Sequence, residues 1–419
     1  MALIVDTNIL LDFPQIVQET DAEDDVIILT DVLKELDGLK LSSNPETAYK
    51  ARRAAVVISR NLSKLNWNET YEDMNMKVDD KLLMAAQDTN NTLVTNDVYL
   101  KIKAELRDIS NKGYGGGDDY TGIRTLKLAT DENKYHPDLN YILENHKLLD
   151  EQKPLREGEY LIIKDLSSPI KTKYGDDFEV LYKGVNCNGK IVEIPQHKNV
   201  IQNQWISKIS PLNPEQECLF NALNNRDKTI VYAGGPWGTG KSFILNNFAL
   251  QEYERGKIDK IVYVPNNSYT ENTIDLGAMP GELLEKVTGL LGPLLDLIGI
   301  DMVTEMLNTN KLEIVPINFI RGRSFRNSII IVNEAQNLTE DHVKLLIGRC
   351  DDGTRIFFDG DMKQADSPIF RNKNGLKLLS QLSKSSIFAD IFAMVKLITI
   401  ERSKTANAAS YLDDITGNI

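Results

Sequence analysis

Residues 235–242 read Gly235-Pro236-Trp237-Gly238-Thr239-Gly240-Lys241-Ser242, with an apolar strand over 229–232 before them and a helix-like stretch over 243–253 behind. Strand, glycine loop and helix in that order leave few folds open, because the loop must turn at the edge of a sheet and open directly into a helix. The spacing is a full match to G-x-x-x-x-G-K-[ST]. A polyphosphate brings several negative charges that must be met without steric clash. Glycines let successive backbone N–H groups face inward and cradle phosphate at a helix N-terminus. Lys241 is then placed for the β and γ phosphates and the Ser242 hydroxyl for Mg2+. ATP and Mg2+ are the expected ligands.

The stretch 209–419 continues the alternation of strand and helix, with further strands expected at 260–264, 312–315, 328–332 and 355–358. About 200 residues suits one nucleotide-binding domain. The strand over 328–332 runs into Asn333-Glu334-Ala335-Gln336-Asn337. Such strands normally end in Asp-Glu, the Asp orienting the Mg2+ shell and the Glu polarising the attacking water. Here Asn333 keeps the shape and loses the charge, and Glu334 is the candidate base. The strand at 355–358 leads into Asp359-Gly360-Asp361-Met362-Lys363-Gln364, where Asp361 and Gln364 are candidates to sense the γ phosphate. Gln216, about 20 residues before the loop, carries one amide that supplies both donor and acceptor and so suits an adenine edge. Arg402 is a candidate arginine finger. Taken alone, Gln216 defaults to a solvated side chain and Arg402 to a surface charge.

The first 110 residues show a second alternation: strands at 3–5, 26–30 and 92–94, helices at 31–40 and 79–87. Asp6 and Asp97 each follow an apolar strand, Glu35 lies in Val32-Leu33-Lys34-Glu35-Leu36-Asp37, and Asp79 opens a helix. In a parallel sheet the C-terminal strand ends converge on one rim. Acids gathered there repel unless cations sit among them, and hard oxygen ligands suit Mg2+ or Mn2+. Two ions roughly 4 Å apart activate water and stabilise the leaving oxygen of a phosphodiester. Singly, Glu35 is a helix charge, Asp79 a helix cap and Asp97 a turn residue.

Between these halves, Gly113, Gly115, Gly116 and Gly117 mark a break, and 111–158 reads as a partly helical linker. Short strands at 160–163, 178–182 and 190–194, with Asn188-Gly189 as a hairpin turn, suggest a small β-barrel-like insert over 159–208. Lys and Arg number 48 against 61 Asp and Glu, a net charge of −13, so the chain does not coat nucleic acid by bulk attraction. The three cysteines (Cys187, Cys218, Cys350) are scattered, as are the four histidines, which argues against a disulfide framework, a zinc site or a histidine-based hydrolase. No apolar run approaches the ~20 residues of a membrane helix. The start shows no secretion signal, so a reducing cytoplasm without a membrane partner is expected.

Over about 211–410 the chain resembles the PhoH family of P-loop ATPases. The matching pieces are Gln216, the 235–242 loop, Met279-Pro280-Gly281-Glu282 with Glu285-Lys286, Arg321-Gly322-Arg323-Ser324, Asn333-Glu334-Ala335-Gln336-Asn337 and Gly360-Asp361-Met362-Lys363-Gln364. It departs at Asn333, where the family has Asp, and at Val264-Pro265-Asn266, where the family usually has Arg-Pro. Over about 1–105, Val5-Asp6-Thr7-Asn8, Glu35-Leu36-Asp37-Gly38-Leu39-Lys40, Asp79-Asp80-Lys81-Leu82-Leu83 and Thr95-Asn96-Asp97 resemble, in order, the motifs of PIN ribonucleases.

The resemblance implies an α/β chain: a PIN-like parallel sheet with helices (1–110), the linker, the β-rich insert, and a RecA-like P-loop NTPase domain (209–419). It implies an ATP-dependent RNA-processing enzyme acting on single-stranded RNA. A metal-dependent endoribonuclease with Asp6, Glu35, Asp79 and Asp97 as ligands would be joined to an ATPase and helicase motor. It further implies a ring-like homo-oligomer such as a hexamer, with Arg402 reaching a neighbour's ATP. Arg321 and Arg323 would contact phosphate of ATP or of RNA. Asn333 leaves open an ATP-binding protein with weak turnover, in which nucleotide regulates assembly or the nuclease without unwinding.

Overall fold

The structure is a computed structural model that describes residues 2–12, 14, 16–19, 25–43, 45–62, 65–72, 74–88, 91–112, 121–150, 152–172, 175–195, 200–265, 291–364, 374–383 and 385–402. The glycine break at 113–119, Asn266 and the 279–286 motif lie outside the described residues. Packing divides the chain into two units, Met1–Asp119 and Tyr120–Ile419.

In the first unit the order is β1 (Leu3–Val5), α1 (Thr7–Asp12), α2 (Ile16–Glu19), β2 (Val26–Leu29), α3 (Thr30–Leu39), α4 (Pro45–Arg60), β3 (Leu65–Asn68), α5 (Val78–Asp88), β4 (Thr92–Val94), α6 (Val98–Glu105) and β5 (Asn111–Lys112). The strands lie in the order β3-β2-β1-β4-β5 and every pairing is parallel. Leu3-Ile4-Val5 and Thr92-Leu93-Val94 are buried throughout, the continuous runs expected of strands covered on both faces. The chain fills one side of β1 with β2 and β3 and returns to the other side with β4. The C-terminal ends of β1 and β4 therefore flank a topological switch point, the crevice where open α/β sheets place their sites.

The second unit begins with a four-stranded sheet, β6 (Ile123–Leu128), β7 (Tyr160–Thr172), β8 (Gly175–Cys187) and β9 (Lys190–Glu193), in that order. This revises two expectations. Residues 123–128, read as linker, pair in parallel with β7. The following α7 (Pro137–Asn145) buries Leu139 and Ile142 in one core with Leu161 and Ile163. Among the described residues β6 and β9 are edges, so the expected barrel is an open sheet. The Asn188-Gly189 turn is as expected: both residues have positive φ, 55° and 75°, and Cys187 pairs with Lys190. The hairpin β10 (Ile201–Asn203) and β11 (Ile206–Ile209) contributes Ile201 to the core of the nucleotide sheet.

That sheet is built from α8 (Pro214–Asn224), β12 (Ile230–Gly234), α9 (Lys241–Glu254), β13 (Lys260–Val264), α10 (Gly292–Asn308), β14 (Leu312–Ile314), β15 (Ser328–Val332), α11 (Glu340–Ile347), β16 (Arg355–Gly360), α12 (Gly375–Leu382) and β17 (Phe392–Lys396). The six strands run in the order β14-β13-β15-β16-β12-β17, all parallel. Asn213 caps α8 by accepting from the Gln216 N–H at 2.9 Å, and Pro214 sits where a helix needs no donor. Strand β16 runs two residues past its apolar stretch, so Asp359 and Gly360 lie inside the sheet, opposite Ala233 and Gly234. Among the described residues no helix is long and apolar enough to cross a membrane.

Candidate functional site

The loop after β12 owes its shape to three glycines with positive φ, Gly235 (122°), Gly238 (79°) and Gly240 (92°). Gly235 is the most constrained: a Cβ there would stand 1.9 Å from the Leu397 carbonyl oxygen. Leu397 follows β17, and its N–H donates to the Gly234 carbonyl at 2.8 Å. Gly235→Ala is therefore expected to destabilise the fold by about 2–3 kcal/mol, read from urea unfolding. An unchanged midpoint would mean that β17 does not hold the loop.

Lys241 is largely buried, and its Nζ donates to the Pro236 carbonyl at 2.8 Å. Burial pulls its pKa below the usual lysine range, while Asp359, Asp361 and Glu334 pull it back up. Thr239 is fully buried and its hydroxyl donates to the same Pro236 carbonyl at 3.0 Å. Trp237 projects outward, 38% exposed.

Glu334 follows β15 with φ 52°, a left-handed conformation that costs a non-glycine residue on the order of 1 kcal/mol. Its backbone N–H donates to Asp359 at 2.9 Å, and its carboxylate accepts from Gln336 Nε2 at 2.5 Å. Gln336 Oε1 in turn accepts from the Asp361 N–H at 3.2 Å, and Gln364 Nε2 donates to the Asp361 carboxylate at 3.0 Å. The candidate base and the two candidate phosphate sensors thus belong to one hydrogen-bonded chain across the ends of β15 and β16.

Asp359 is the residue that the motif analysis missed. It is 2% exposed, and the Ser242 hydroxyl donates to its carboxylate. Burial pushes its pKa up, and the nearby Lys241 and the Ser242 bond oppose that shift. The signal in the sequence was an acid directly after Ile356-Phe357-Phe358; its burial shows only in the strand register.

Gln216 and Arg402 both lie against the phosphate loop. Gln216 is 4% exposed, and its amide is used by backbone: Oε1 accepts from the Leu212 N–H at 2.9 Å, and Nε2 donates to the Thr239 carbonyl at 3.0 Å. It braces the loop with one acceptor and one donor of its amide. Arg402 lies against its own chain's loop, because a Cβ on Gly238 would touch the Arg402 Cγ and Cδ at 3.2 and 3.3 Å. The Glu401 N–H donates to the Gly238 carbonyl at 2.8 Å and fixes this approach. Within this chain the Arg402 side chain thus runs beside its own phosphate loop. Arg323 forms an ion pair with Glu313, which also holds Lys260 at 3.1 Å.

In the first unit, Asp6 is 5% exposed at the tip of β1. Its carboxylate accepts from the Thr95 hydroxyl at 2.7 Å and from the backbone N–H groups of Thr7 and Asn8. Burial raises its pKa, and the nearby Asp79 charge raises it further. Thr95 also accepts from the Asp97 N–H at 3.0 Å, so one hydroxyl ties the ends of β1 and β4 together. The four acids do not form one ligand set. Asp97 caps α6 through the Tyr99 and Leu100 N–H groups at 2.8 and 3.1 Å. Glu35 accepts from the Thr7 hydroxyl at 2.5 Å, and Lys103 stands 3.5 Å from Asp79. Among the described residues no three acids, histidines or cysteines gather closely enough to hold a metal ion. The like-charged pair Asp6 and Asp79 is the part of the rim that suits a cation.

A family model described as PhoH-like protein matches residues 208–410, and one described as PIN domain matches residues 3–114. A PhoH-like protein of Bacillus subtilis is 31% identical over 253 residues, covering 58% of this chain and 72% of the relative. Protein PhoH2 of Bacillus subtilis is 24% identical over 462 residues, covering 98% of this chain and 99% of the relative. A PhoH-like protein of Synechocystis sp. is 29% identical over 219 residues, which cover 51% of this chain and 61% of that relative's length. Among solved structures, Pif1 helicase from Candida albicans aligns with 49% of this chain and 44% of its own, at 14% identity and a TM-score of 0.27.

Proposed function

The chain belongs to the PhoH-like family and carries a PIN domain ahead of its nucleotide unit, and on that premise we propose an ATP-dependent RNA-processing enzyme. The second unit hydrolyses ATP to move or unwind a single RNA strand, and the first cuts RNA at the rim around Asp6. The observation that carries the proposal is the convergence of Lys241, Ser242, Glu334, Asp359 and Asp361 at one end of one sheet.

In this reading the loop amides and Lys241 grip the triphosphate, as a helix N-terminus with inward N–H groups favours anions. Lys241 leaves the Pro236 carbonyl for phosphate oxygen. Glu334, oriented by Gln336, takes the proton of the attacking water, and Asp361 with Gln364 lies beside the γ phosphate. Mg2+, which Ser242 and an acid of the site would hold, would draw charge from the phosphate oxygens. At the other rim Asp6 and Asp79 would hold a divalent cation, which would activate water for phosphodiester cleavage, while Thr95 fixes the Asp6 carboxylate.

The deciding experiment incubates labelled single-stranded RNA with the protein and Mg2+ or Mn2+, with and without ATP, beside Lys241→Ala and Asp6→Asn. Metal-dependent cleavage lost in Asp6→Asn, together with phosphate release lost in Lys241→Ala, supports the proposal. Cleavage that survives Asp6→Asn sinks the nuclease half. A duplex with a single-stranded overhang tests unwinding, and no strand displacement leaves ATP as a regulator only.

The position of Arg402 gives a separate expectation. Arg402→Ala should lower phosphate release by at least roughly tenfold, the lower end expected of a group meeting charge on the transferring phosphate, for which a fully engaged arginine finger contributes on the order of 10^3 to 10^5. Mixing it with Lys241→Ala should restore nothing, because each chain uses its own arginine. Recovery in the mixture would return the finger to a neighbouring subunit of a homo-oligomer.

A further inference from the structure

Asn333 deprives β15 of the acid that such a site needs, yet a carboxylate is present at the same place, brought by the neighbouring strand. Strands β15 and β16 pair with Val332 opposite Phe358, so Asn333 and Asp359 are next in register. With its amide nitrogen turned to the acid, Asn333 donates to both Asp359 oxygens, at 3.1 and 3.2 Å. The Glu334 N–H at 2.9 Å and the Ser242 hydroxyl complete the set of donors. A buried carboxylate is costly unless donors meet its oxygens. Here every donor comes from a residue of the phosphate site. An Asp at 333 would set two carboxylates about 3 Å apart, where both cannot ionise freely. The neutral amide meets the Asp359 oxygens with donors, where a second carboxylate would repel them.

We propose that Asp359 is the acid of the magnesium site, acting with Ser242, and that Asn333 is its positioning residue: the charge has moved one strand across the sheet. The assignment rests on the nucleotide reading above and says which side chain performs its metal step. The oxygen pair fits a hard cation that prefers one or two carboxylates plus phosphate oxygens and water. Asn333 is then no sign of a failed ATPase.

The test is binding of a fluorescent ATP analogue to the full chain, titrated with Mg2+ and repeated in EDTA. Wild type should bind more tightly with Mg2+. Asp359→Asn should lose the Mg2+ gain, the ratio of affinity with Mg2+ to affinity in EDTA falling to near one, with the half-saturating Mg2+ concentration raised about tenfold or more. Asn333→Asp/Asp359→Asn, which returns one acid and one amide to the pair, should recover the Mg2+ gain to within a few-fold. A melting curve establishes that each variant is folded. If Asp359→Asn does not fold, the double variant carries the test: folded and Mg2+-responsive supports the assignment, folded and unresponsive overturns it. A folded Asp359→Asn with wild-type Mg2+ dependence overturns it outright. A wild type that binds no nucleotide overturns the parent reading together with this one, whereas normal wild-type binding beside an unaffected variant overturns this assignment alone.

Discussion

Lys241→Ala should reduce phosphate release by on the order of 10^2 to 10^3, the scale for removing one preorganised electrostatic contact to a transition state. The side chain is largely buried near Asp359, Asp361 and Glu334, and its Nζ donates to the Pro236 carbonyl. Without a ligand it balances three acids; with a triphosphate it meets the charge that moves during transfer. Removal therefore strikes twice, since the acids that remain repel the phosphate that Lys241 should attract. Nucleotide affinity should fall together with turnover. The fold should persist, because the glycine geometry and the β17 contacts hold the loop without this side chain. Phosphate release that is unchanged in the purified variant would mean that the activity belongs to another protein or another site.

Asp6→Asn is the second large effect, a loss of RNA cleavage of on the order of 10^2 or more, as expected when a charged contact to a reacting phosphate is deleted. The amide keeps the volume and one acceptor oxygen for the donors Thr95, Thr7 and Asn8. It loses the charge and turns the second oxygen into a donor. That charge is one the fold resists, because burial and Asp79 both raise the Asp6 pKa. A group whose folded pKa is raised in this way lowers stability as pH rises through ionisation. The variant should therefore melt at an equal or higher temperature than wild type at neutral pH while cutting far less. A large drop in melting temperature would recast Asp6 as structural and remove the argument for a cation at this rim.

Several elements were legible because their cause is local. Strands β13, β15 and β4 fall at 260–264, 328–332 and 92–94, where uninterrupted apolar runs leave no other buried conformation. The Asn188-Gly189 turn follows from two residues that tolerate positive φ. Strand β6 was not legible. Its residues alternate between half-buried and exposed along an edge, so Ile123-Arg124-Thr125-Leu126-Lys127-Leu128 reads as polar linker until its pairing with β7 is seen. The backbone bonds that pair it carry no side-chain signature. The acidic rim was legible as four acids in order and not as geometry: the chain gives two of them to a cap and a threonine.

By itself the sequence determined that this chain has two parallel α/β units and where its phosphate loop lies, because the 3–5 and 229–242 stretches fold by local rules of apolar patterning and glycine conformation. Only the tertiary structure decided which side chains share a site. Asp359 meets Asn333 through strand register, and Arg402 meets Gly238 because the segment after β17 runs along the loop. Both contacts join residues far apart in the chain, and register and topology, which set such meetings, are properties of the paired backbone as a whole.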